Sequence, residues 1–108
     1  MKTSELTGHA LDWAVAKCVD DGLADFTAAG WRFYPSTNWA QGGPIIEQAV
    51  AKIERFSDAL WEATAFTKNA QDFVQSGPTP LIAAMRCYVA SKLGDEVDVP
   101  ELLQGEQA

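Results

Sequence analysis

The sequence predicts an α+β fold in which a small antiparallel sheet of about three strands is covered by three helices. Apolar residues recur at helical spacing in three separated segments, and side chains alternate in two short runs flanking a polar turn. A Thr-Pro pair also marks a helix start. With 108 residues, 47% of them hydrophobic and including four Trp and five Phe, the chain suffices for one real core.

The first helix is expected over about Lys2 to Val19, where Leu6, Ala10, Trp13, Ala14 and Cys18 share a stripe that Leu11 and Val15 widen. Thr3 or Ser4 is the expected cap, Glu5 suits the positive helix end, and Asp20-Asp21-Gly22 supplies the stop. A calcium loop would need EF-hand ligand spacing, which those aspartates lack. Trp31-Arg32-Phe33-Tyr34 alternates after Gly30 and reads as a short strand. Ile45, Ile46, Ala49, Val50, Ile53 and Phe56 then give the apolar face of a second helix ending near Arg55, with Pro44 in its first turn. Alternatively Thr37 caps an earlier turn, and Gly42-Gly43-Pro44 is a kink inside one longer helix.

Residues 60–66 and 71–75 alternate around Thr67-Lys68-Asn69-Ala70, so a hairpin is expected. Ser76-Gly77-Pro78 breaks the second strand, Thr79 caps the third helix, and Pro80 takes its first position; Gly94 ends it. Leu81, Ala84, Met85, Tyr88 and Val89 form its core stripe. The expected domain is therefore 1–94, followed by an acidic 95–108 tail, partly docked or frayed, in which Val97, Val99, Leu102 and Leu103 are the apolar residues.

Eight Lys plus Arg against fifteen Asp plus Glu give a net charge of −7, a field that repels nucleic-acid polymers and anionic lipid. No apolar run approaches the roughly 18 residues that a membrane span requires. Cys18 and Cys87 lack CxxC spacing and no secretory segment precedes them, as in a reduced cytosolic protein. His9 is the single histidine, so neither a metal site nor a cofactor is expected.

The candidate site is the segment Pro35 to Pro44, which crowds turn formers, hydroxyls, an amide and a tryptophan before a helix. Tyr34 and Trp39 offer aromatic faces for a base, Ser36, Thr37, Asn38 and Gln41 offer hydrogen bonds, and Gly42 and Gly43 permit close backbone approach. A helix start beyond them would suit an anion. The plainer readings are a structural turn and a core Trp39, because the glycines lack both P-loop and dinucleotide spacing. Arg86 stands on an otherwise apolar helix and must snorkel, meet a carboxylate such as Glu47 or Glu62, or bind a ligand phosphate. Ser36, Thr37 and the cysteines have no evident base, so catalysis is not expected.

Three blocks carry a family resemblance: Met1 to Gly8 with Ala10 to Lys17, Pro35 to Glu47, and Gly77 to Arg86. Together they resemble the NinX-like family of tailed-phage and prophage proteins, and the order of elements is similar to the phage α-β-α sandwich domain. Ser36-Thr37-Asn38 falls where that pattern has its Ser-Thr-Asp start, whereas Gly42-Gly43-Pro44 departs from its uninterrupted helix. The resemblance implies an accessory product made in the cytoplasm of an infected bacterium, without an established activity. The leading expectation is non-enzymatic sequestration of a small anionic, nucleotide-derived ligand, such as a cyclic or modified nucleotide serving as a host defence signal. The alternative is an acidic interaction module that acts on a host or phage protein, with a homo-oligomer compatible with that role.

Overall fold

A computed structural model of the chain describes residues 1–19, 33–50, 52–66 and 72–99. After a single 3₁₀ turn at Thr3–Glu5, the described elements are helix α1 (Gly8–Val19), helix α2 (Trp39–Ala49), strands β1 (Lys52–Ser57), β2 (Leu60–Phe66) and β3 (Asp72–Gly77), and helix α3 (Pro80–Leu93). The strands form one antiparallel sheet in the order β1-β2-β3. The α+β class and the three-stranded antiparallel sheet thus agree with the sequence reading.

Helix α3 organises the molecule. Leu81, Ala83, Ala84, Met85, Cys87, Tyr88, Val89 and Ala90 are all buried, so its apolar surface wraps around the axis instead of forming one stripe. The sheet lies on one side of it, and α1 and α2 pack on it from elsewhere. Ala63 and Ala65 of β2 are buried on the helix side of the sheet, where short side chains let the helix approach. A Cβ on Gly77 would stand 2.9 Å from Ala83 N, so the end of β3 touches the first turn of α3 closely. Thr79 caps that turn by accepting from Ile82 N at 3.1 Å, with Pro80 in the first position, as expected.

The hairpin β2–β3 is present, with Ala63 opposite Gln75 and Ala65 opposite Phe73; its expected turn, 67–70, lies outside the described residues. The third strand is elsewhere than expected. Phe33 and Tyr34 are not in a strand, and Trp31 and Arg32 lie outside the described residues. Its place in the sheet is taken by Lys52–Ser57, which the 3–4 spacing of Val50, Ile53 and Phe56 assigns to a helix. Pairing overrides that spacing: Ile53 faces Ala63 across the ladder, and a bulge at Phe56 breaks the alternation that would otherwise mark a strand.

Helix α2 follows the alternative reading in that Gly42-Gly43-Pro44 lies inside one longer helix, but Asn38, not Thr37, is its cap, accepting from Ala40 N at 2.9 Å. The chain leaves it at Val50, already extended.

The first helix starts later than expected. Thr3 does not cap it; the hydroxyl is buried and donates to Gly94 O at 2.6 Å. Beside it, Thr3 N donates to Asp95 O and Val97 N to Met1 O, each at 2.8 Å. The Met1 amine donates to Val97 O at 2.7 Å. Val97 and Val99 are buried, whereas Leu102 and Leu103 lie outside the described residues, as does the Asp20-Asp21-Gly22 stop.

Candidate functional site

The segment from Tyr34 to Gly43 is organised mainly by its own hydrogen bonds. Tyr34 O accepts from Thr37 N at 3.1 Å and Asn38 N at 2.9 Å, closing the turn that leads into α2. Tyr34 N donates to Gln41 Oε1, which folds the helix start back on that turn. Ser36 N donates to Asp12 Oδ1 of α1 at 2.9 Å, tying the turn to the core.

Asp12 is 2% exposed, and burial pushes its pKa above the ordinary value against the opposing bonds from Ser36 and the field of His9. The Ser36 hydroxyl is buried beside the same carboxylate and helps hold that pKa down, although it falls short of good hydrogen-bond geometry.

The two glycines have different roles. A Cβ at Gly42 would meet Pro35 O at 2.5 Å and Leu81 Cδ2 at 2.6 Å, so its close approach is to the protein's own turn and to α3. At Gly43 nothing but its chain neighbours stands within 4 Å of the equivalent position. Trp39 is 56% exposed at the start of α2 and is not a core residue. With Ser36, Thr37, Thr79, Pro80, Leu81 and Ile82 it borders a shallow groove of about 280 Å³.

Arg86 is held away from both features. Its Nε donates to Leu6 O and its Nη1 to Ser76 O, each at 2.8 Å, so it pins the approach to α1 and the end of β3 together. Burial draws its pKa down from the ordinary value. The alternatives of snorkelling and a carboxylate partner both yield to backbone carbonyls, which a sequence does not display as acceptors.

A larger cleft of about 430 Å³ lies where α2 meets the C-terminal halves of α1 and α3. Phe33, Gln41, Pro44, Gln48, Tyr88 and Lys92 are among its lining residues, and of these only Gln41 and Pro44 fall in the segment that the sequence marks as a candidate site. It combines two rings, two carboxamides and one cation, within the size range of small-molecule sites. Gln48 and Lys92 follow in sequence from no motif; they meet because α2 touches α3 at Leu81 through Gly42 and reaches its last turn with its own C-terminal end.

Among the described residues, no cluster of three His, Cys, Asp or Glu is arranged to hold a metal. Cys87 is buried, its thiol pushed up to about 11 by desolvation, and donates to Phe73 O at 3.1 Å, which suits packing rather than nucleophilic chemistry. No described helix is long and apolar enough to cross a membrane.

The family model described as Bacteriophage P22, NinX matches residues 2–92. A search of curated proteins found no match. Residues 2–92 take in all three blocks that carry the resemblance except Met1, and every described helix and strand but the last residue of α3, and the chain belongs to this phage family.

Proposed function

We propose that this phage protein acts without catalysis, in the cytoplasm of the infected host, by holding a small anionic, nucleotide-derived ligand in the cleft between α2 and the C-terminal half of α3. The observation that carries the reading is the lining of that cleft: Phe33 and Tyr88 provide rings for a base, Gln41 and Gln48 hydrogen-bonding amides, and Lys92 a cation for phosphate. Sequestration of a host defence signal is the role that such capture serves in a phage accessory protein.

Native mass spectrometry of the protein purified from phage-infected cells, followed by denaturation, tests this directly. The expected result is a stoichiometric nucleotide-like mass released unchanged and lost from Lys92→Ala, which removes a charge-assisted hydrogen bond worth about 1.5 kcal/mol or about tenfold in affinity. Clean apo protein overturns ligand capture, and a cleaved product overturns the non-catalytic part.

The exposed Trp39 favours a second reading, docking on a protein partner through the groove beside the start of α3. Trp39→Ala would then abolish pull-down of that partner from infected lysate, while Lys92→Ala would leave it intact.

A further inference from the structure

Strand β1 is an edge: among the described residues it pairs only with β2, and all of its side chains except that of Ile53 are exposed. Its outer face carries Lys52 and Glu54, which bridge each other at 2.9 Å and remain 61% and 47% exposed. Glu54 stands directly opposite Glu62 of β2, a like-charge pair that weakens the sheet locally. Both glutamates, Glu54 foremost, push the Lys52 pKa up, so a single cation serves two carboxylates.

We propose that β1 is the contact surface for a second copy of this chain, paired antiparallel about a two-fold axis through Ile53, so that two three-stranded sheets join into one. A two-fold axis normal to the sheet must pass through a residue, because any other centre would set outward side chains against inward ones. Only three such centres keep the paired segment within the strand ahead of the bulge at Phe56 with Lys52 or Glu54 facing a partner.

Centring on Lys52 opposes lysine to lysine. Centring on Glu54 opposes glutamate to glutamate beside Glu62. Centring on Ile53 places Lys52 of each copy against Glu54 of the other, twice, by the symmetry of an isologous contact.

The segment Lys52 to Glu54 is therefore complementary to itself when reversed, with opposite charges at its two ends and an isoleucine at the middle. Its second cation offsets the repulsion between Glu54 and Glu62.

Sedimentation velocity of the full chain over a concentration series tests the contact. The wild-type protein is expected to dimerise reversibly. Lys52→Glu and Glu54→Lys should each sediment as monomers at the concentration where wild type is dimeric, and the double exchange should restore the dimer. A wild-type monomer at every concentration, or single exchanges that stay dimeric, overturns the proposal. Should a single exchange fail to fold, hydrogen exchange of the wild type at low and high concentration decides: protection of the 52–54 amides must rise with concentration, and unchanged protection overturns it.

Discussion

At the residue scale, Gly42 and Gly43 form a natural controlled pair. Gly42→Ala forces a methyl against Pro35 O and Leu81, and overpacking of this kind costs about 1–3 kcal/mol in urea unfolding. Gly43→Ala meets nothing beyond its chain neighbours, and its helix-propensity gain of about 0.5–1 kcal/mol is offset by crowding of the new Cβ against the Pro44 ring, so stability should stay close to wild type. The sequence announces both glycines but not the obstacle at Gly42, because Pro35 O is a backbone atom brought in by the fold. Asp12 was likewise invisible as an anchor, since an aspartate on a helical apolar face looks like a solvated charge until the Ser36 amide is seen against it. Asp12→Asn keeps an acceptor for that amide and removes the burial cost, so it should equal or exceed wild type at pH 7, whereas Asp12→Ala leaves the amide unpaired and loses about 1–3 kcal/mol. The sign follows from linkage. Burial raises the folded pKa above the unfolded one, so the native state binds the extra proton, and the Asp12 contribution to stability falls as pH rises from 3.8 through the raised value. The advantage of Asp12→Asn over wild type, measured by denaturant titration, should therefore shrink as the solution is acidified through the same window.

At the element scale, the hairpin and α3 were legible because their signals are local: alternation in one, a Thr-Pro start in the other. The boundary between α2 and β1 was not, because Val50, Ile53 and Phe56 fit a helical period and only pairing with β2 selects the strand. Arg86 belongs to this scale, since it joins elements rather than lining a cleft. Replacing it with Lys removes the fork that reaches Leu6 O and Ser76 O together, with an expected loss of about 1.5–3 kcal/mol for hydrogen bonds to a charged donor. Ligand release measured by native mass spectrometry should be unchanged in that variant, which separates its structural role from that of Lys92. Removing the α3 cap with Thr79→Ala should cost about 1 kcal/mol, read as a lower urea midpoint at constant slope.

At the scale of the whole molecule, α3 is the shared wall of every other element, with the sheet on one side and α1 and α2 against its remaining surface. Its amides should be the slowest to exchange, and β1, exposed along its length, among the faster. The bonds among Met1, Thr3, Gly94, Asp95 and Val97 bring the two ends of the described chain within hydrogen-bond distance of each other. Over its described residues the fold is thus nearly a ring, closed between Met1 and Val97, and it does not depend on the chain being opened there. A circular permutant that keeps the full sequence, joins Ala108 to Met1 through a short glycine-serine linker and opens the exposed turn at Asp58-Ala59 should fold to the same circular dichroism spectrum.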